Sequence, residues 1–160
     1  TDGLVMTVGT LELAGAGVNG VPGAVGFSLD LRAFDDAIRE REYEAVVADC
    51  EAIAARRRVS IRAEVFYEET TVPCEQALVA TLKKVLAQRG EDDALSLPSM
   101  AGHDGLAMAR ICPIAMLFVR CRDGASHSPD EHVDLEDIAA SVEALTGFVR
   151  QLGHQFRAEA

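Results

Sequence analysis

The sequence predicts an α+β chain with α/β character towards its C-terminus, and three patterns carry that prediction. Two runs, at 24–34 and 59–67, alternate apolar and polar residues with the period of a half-buried strand. Three longer runs repeat apolar residues every three or four positions, the spacing of amphipathic helices. One unbroken apolar run, Ile114 to Val119, reads as a strand covered on both faces, as in a parallel sheet.

Taken in order, Thr7 to Leu13 reads as a strand, and Ala14 to Gly23, with four of the thirteen glycines plus Pro22, as a loop or wide turn. In 24–34, Val25, Phe27, Leu29, Leu31 and Ala33 share one face. Ser28, Asp30 and Arg32 share the other, which is therefore available for function. Asp35-Asp36 caps a helix to about Arg57, with Tyr43, Val46, Val47, Cys50, Ile53 and Ala54 at helical spacing. Arg56-Arg57-Arg58 falls where cations favour the helix dipole, so it reads as a cap rather than a phosphate site. Val59 to Tyr67 is the third strand of what is expected to be half a sandwich covered by one helix.

Cys74 or Glu75 begins a second helix to Arg89, with Leu78, Leu82, Val85 and Leu86 on one stripe and Gly90 as its stop. Leu95 to Leu97 is a short strand broken by Pro98, and Asp104 stands at the N-cap of a helix from Gly105 to Ile111 that Pro113 closes. With the run Ile114–Val119 these make a βαβ unit. Ligands collect beyond the carboxyl ends of such strands, where loops 98–104 and 120–130 would sit, so His103 and His127 are expected to face one cleft. Asp134 caps a last helix whose Ile138, Val142, Leu145, Val149, Leu152 and Phe156 form a stripe that needs a surface to lie on.

A chain of 160 residues makes one large domain or two small subdomains. Its 26 acidic against 15 basic residues give a net charge of -11, which argues against nucleic acid or an anionic membrane as partner. No apolar run approaches the roughly 20 residues of a membrane span, and the N-terminus has no basic-then-apolar leader, so a soluble cytoplasmic protein is expected. Cys50, Cys74, Cys112 and Cys121 are widely spaced with no Cys-x-x-Cys, and they read as buried or incidental thiols.

Two segments carry a family resemblance: Leu97-Pro98-Ser99-Met100-Ala101-Gly102-His103-Asp104-Gly105, and Ser126-His127-Ser128-Pro129-Asp130-Glu131 beyond one apolar run. In this order they resemble the C-terminal part of the metal-dependent N-carbamoyl-L-amino-acid hydrolases and allantoate amidohydrolases, within the aminoacylase-like two-metal peptidase superfamily. Gly17-Val18-Asn19-Gly20-Val21-Pro22-Gly23 and Phe27-Ser28-Leu29-Asp30-Leu31-Arg32 agree in spacing, so the likeness runs from about Val8 to about Leu152.

The resemblance implies a partial βαββαβ lid or dimerisation subdomain at 1–70 and, at 71–160, the C-terminal αβαβα part of a metallopeptidase-like catalytic domain. It implies hydrolysis of a carbamoyl or ureido C–N bond of a small ureido acid by a metal-bound water, in a homodimer joined through the lid. His127 matches the last metal-binding histidine, and zinc, manganese, nickel or cobalt all suit imidazole in a mixed site. Asn19 and Arg32 match residues that bind the substrate carboxylate, for which a guanidinium fork is suited. Ser99, Met100, Ala101 and Gly102 match the loop lining the pocket, with His103 beside it. Met100 stands where the family usually has Gly, Gly105 where it has Ala, and Gly20 where it has a β-branched residue; a Met side chain in that loop bears on substrate size. The strands are too few for either subdomain. The resemblance therefore implies the back part of a longer enzyme, inactive alone, whose other metal ligands, general-base glutamate and oxyanion histidine precede it, with no tightly held metal here.

Each of these residues also has a local reading. His127 suits a surface loop, His103 a satisfied loop histidine, Asn19 a Gly-rich turn, and Arg32 an ion pair with Asp30 or Glu64. His132 and His154 read as surface residues. The alternative of a different class is a non-catalytic α+β module that binds a small carboxylate or self-associates through open strand edges.

Overall fold

The computed structural model describes residues 3–15 and 17–158, apart from the side chains of Phe156 and Ala158. Ala16, within the expected glycine-rich loop, and the last apolar side chain of the expected C-terminal stripe, Phe156, lie outside the described set. The elements are β1 (Leu4–Ala14), β2 (Ala24–Ala33), α1 (Asp36–Arg57), α2 (Gln76–Ala87), α3 (Asp104–Met108), a 3-10 turn at Arg122–Gly124, and α4 (Leu135–Ala158). This is a mixed α+β architecture, a small antiparallel sheet followed by helices. It divides into two units: one runs to Thr71 and includes Pro98–Ala101, and the other comprises Val72–Leu97 and the chain from Gly102 onward.

In the first unit β1 and β2 pair from Leu4 opposite Ala33 to Ala14 opposite Ala24. The register shifts between Val8 and Leu11, where Gly9 and Thr10 together oppose Ser28 in a bulge. Ser28 Oγ accepts from the Thr10 backbone N–H and from its hydroxyl, each at 3.0 Å, so the polar face of β2 closes the defect. A Cβ at position 9 would lie 3.3 Å from that oxygen, which is why glycine fits there.

Asp35 caps α1, its carboxylate accepting from the Ala37 N–H at 2.8 Å. Arg58 ends the helix with φ 57°, and the Val59 N–H returns to the Ala54 carbonyl at 3.1 Å, so the basic run is a C-terminal cap. The helix packs on β2 with Ala54 buried and Val46 and Cys50 half-buried, whereas Tyr43 and Ile53 remain exposed.

Val59–Tyr67, expected as a third strand, forms no ladder among the described residues, and Val59, Val65 and Tyr67 are exposed. Alternation sets which residues share a face, but a strand exists only once a neighbour takes its backbone hydrogen bonds. The far end of the segment is tied to α1 instead. Asp36 accepts from the Thr71 N–H and hydroxyl at 3.0 Å, and Arg39 donates to the Glu69 carbonyl at 2.8 Å and to Glu68 at 3.1 Å.

In the second unit α2 packs on α4, burying Thr81, Leu82, Val85 and Ala144. The α2 stripe is the one its sequence predicts. That of α4 holds only at the half-buried Leu152: Ile138, Val142, Leu145 and Val149 are exposed, and Ala140, Ser141, Ala144, Gly147 and Phe148 are better covered. A Cβ at Gly147 would come within 2.9 Å of Val85 Cγ1, so the small residues set how closely the helices approach.

Leu95–Leu97 and Ile114–Val119 also form no ladder among the described residues. Ile114–Leu117 is half-buried, while Phe118 and Val119 are exposed. The expected βαβ unit is therefore not formed among those residues, and the cleft argued from its strand ends loses that basis. α3 begins one residue earlier than expected, with His103 rather than Asp104 at the N-cap, and ends at Met108 rather than Ile111.

Candidate functional site

Arg32 lies on β2 opposite Val5, two residues beyond Asp30 and on the same face of the strand. Its Nε donates to both Asp30 oxygens, at 2.8 and 3.1 Å, and its Nη2 to Oδ2 at 2.6 Å. Nη1 donates to the Met100 carbonyl at 2.9 Å. Each side chain is 47% exposed. The hydrogen bond to Arg32 holds the Asp30 carboxyl below its ordinary pKa, and the same bond raises that of Arg32, with Tyr67 adding a smaller electrostatic contribution. The Asp30 partner foreseen for Arg32 is thus present, while Glu64 pairs with Arg62. The Met100 carbonyl is a contact beyond that local pair.

The rest of the predicted pocket loop in this unit is turned by its own side chain, Ser99 Oγ accepting from the Ala101 N–H at 3.2 Å. Asn19 lies in the turn closed by the Gly20 N–H donating to the Gly17 carbonyl at 3.2 Å, and it is exposed. These facts match its turn-shaping reading.

In the second unit Gly102 is exposed and His103 packs edge-on against Phe118, with ring centroids 6.1 Å apart. His127 is exposed and has φ 54°, a left-handed conformation uncommon for a residue with a side chain. The loop around it accounts for the Ser-His-Ser-Pro-x-Glu motif. Ser128 Oγ accepts from the Asp130 N–H at 3.1 Å, and its carbonyl accepts from the Glu131 N–H at 3.0 Å. Glu131 Oε2 then accepts from the His127 N–H at 2.9 Å. The base of the loop is closed by the Arg122 N–H donating to the His132 carbonyl at 2.9 Å, and the Cys121 thiol donates to the Ala125 carbonyl at 2.9 Å. His132 Nε2 and Arg122 Nη2 meet Asp134 Oδ1 at 3.2 and 3.3 Å.

A structural or catalytic zinc takes three or more protein ligands. The described residues contain no group of three His, Cys, Asp or Glu side chains placed to hold one. They do not by themselves fit the metal centre that the motif implies.

The sequence does not announce the Glu131 bond to His127 or the Met100 carbonyl bond to Arg32. Ser128-x-x-Glu131 has the spacing of a capping box, which was the available signal for the first. A backbone carbonyl has no signal, because every residue supplies one.

The sequence matches Peptidase family M20/M25/M40 over residues 3–151, and the chain belongs to that family. It is 39% identical over 148 residues to the N-carbamoyl-L-amino acid amidohydrolase of Geobacillus stearothermophilus, covering 92% of this chain and 36% of that protein. It is 33% identical to the allantoate amidohydrolase of Escherichia coli strain K12, over 96% of this chain and 37% of the relative. Among solved structures, that of AtUAH in complex with (S)-hydroxyglycine matches with a TM-score of 0.82 at 28% identity, covering 95% of this chain and 36% of that one. The chain thus spans about a third of the length of the relatives it matches.

Proposed function

We propose that this chain is the lid and the C-terminal catalytic-domain portion of a metal-dependent amidohydrolase that cleaves the carbamoyl or ureido C–N bond of N-carbamoyl-L-amino acids, allantoate or related ureido acids. The observation that carries this reading is Arg32, an exposed guanidinium held from two sides and suited to the carboxylate that all these substrates share. The relatives named above act on such compounds by their names. In this reading Asn19 joins Arg32 at the carboxylate, and Ser99, Met100, Ala101 and Gly102, with His103 beside them, line the pocket. His127 contributes one imidazole to a centre of zinc, manganese, nickel or cobalt whose other ligands lie outside the described residues. Residues 1–70 act as the lid and 71–160 as the catalytic portion.

A homodimer joined through the lid draws support from β1 and β2, where Val8, Leu11, Leu13, Val25 and Phe27 are all exposed apolar side chains. Among the described residues no helix is long and apolar enough to cross a membrane.

The test uses the full-length protein with added divalent metal and a panel of N-carbamoyl-L-amino acids, allantoate and ureidoglycolate. Turnover of at least one is expected. Arg32→Ala should raise KM for it about 10- to 100-fold, the worth of a charge-assisted hydrogen-bond pair, and Arg32→Lys should recover little. An unchanged KM in Arg32→Ala contradicts the assignment.

A further inference from the structure

Asp30 has no role in the reading above, yet it takes most of the hydrogen bonding of Arg32. A guanidinium carries five N–H groups. The Nε–H and one Nη2–H go to Asp30, and one Nη1–H goes to the Met100 carbonyl. One N–H on each of the two terminal nitrogens is not used by these bonds. On the edge between the two terminal nitrogens, one hydrogen from each lies in the guanidinium plane, the spacing that matches the two oxygens of a carboxylate.

An arginine side chain free in solvent samples many rotamers, and a ligand that binds it must order it. Here Asp30, at Nε and Nη2, and the Met100 carbonyl, at Nη1, order it beforehand. Asp30 also offsets the positive charge of Arg32, with Nη2 and Oδ2 2.6 Å apart, so attraction for an arriving anion is left mostly to directed hydrogen bonds.

We propose that Asp30 is the positioning residue of the carboxylate site, holding the Arg32 guanidinium in one plane against the Met100 carbonyl so that the site selects the flat two-oxygen geometry of a carboxylate rather than negative charge. This rests on the reading that Arg32 binds the substrate carboxylate.

The experiment compares Asp30→Ala, Asp30→Asn, Asp30→Glu and Arg32→Ala in the full-length protein. Each is assayed on its best N-carbamoyl-L-amino acid and on the same compound with the carboxylate replaced by a primary amide. Asp30→Ala should raise KM for the acid about five- to tenfold, the cost of ordering one long side chain, with a smaller change in kcat. Its preference for acid over amide should shrink and become sensitive to salt, whereas that of the wild type persists at high salt. Asp30→Glu should restore part of the preference, and Asp30→Asn, close in shape, controls for folding. An unchanged KM and preference in both Asp30→Ala and Asp30→Asn, with a raised KM in Arg32→Ala, overturns the role of Asp30 and leaves that of Arg32 standing. A defect in kcat alone also overturns it. An unchanged KM in Arg32→Ala removes the underlying reading itself.

Discussion

The first unit is organised by a sheet and the second by two packed helices, and they bury their side chains very differently. Among the described residues around β1, β2 and α1, Ala54 alone is buried, and the sheet leaves Val8, Leu11 and Phe27 exposed. Where α2 meets α4, Thr81, Leu82, Val85 and Ala144 are buried together. The first unit therefore relies on caps, a bulge closed by Ser28 and ion pairs, each of which contributes little individually, while the second has a small packed centre. A surface held by exposed polar bonds suits a ligand-gripping face, because its side chains are already in solvent.

Substitutions should separate the two regimes when local stability is followed by amide hydrogen exchange in the full-length protein. The largest effect is expected from Leu82→Ala, which should lower protection across α2 and α4 by about 2–5 kcal/mol. Gly147→Val should cost about 1–3 kcal/mol, because the new side chain meets Val85 Cγ1 where a Cβ alone already falls within 2.9 Å. In the first unit Asp35→Ala should cost about 1 kcal/mol, confined to the first turns of α1. An Asp35→Ala effect that matches that of Leu82→Ala would erase the contrast.

The smallest effect is that of pH on the Asp30–Arg32 pair. The folded pKa of Asp30 is depressed below its ordinary 3.8 by the Arg32 hydrogen bond, so the stabilisation is present above that value and is lost as pH falls through the folded one. Both side chains are half exposed, which limits it to at most about 1 kcal/mol. Wild type and Asp30→Asn should differ in thermal midpoint near neutral pH and converge in strong acid. A gap that widens on acidification would reverse the sign.

The helices were legible in the sequence because a helix satisfies its own backbone. Asp35, the spacing of Val46, Cys50 and Ala54, and Gly90 after α2 are local signals for local hydrogen bonds. Runs 59–67 and 114–119 carry equally clear patterns, yet a strand depends on a partner that its own residues do not specify. On α4 residue size does not track burial: Ala144 and Gly147 permit the close approach, while Ile138, Val142, Leu145 and Val149 are exposed. Among the candidate site residues, Arg32 is legible through its alternating strand and motif. Its orientation is not, since it depends on a carbonyl 68 residues away in sequence.

The claim that this chain forms the back of a metal-dependent amide hydrolase is tested most directly at His127. Metal content and turnover of the full-length protein should both fall in His127→Ala, by at least about tenfold in turnover, since even a residue supporting a metal ligand typically contributes that much. Undiminished metal content with undiminished metal-dependent turnover in that variant would contradict the account.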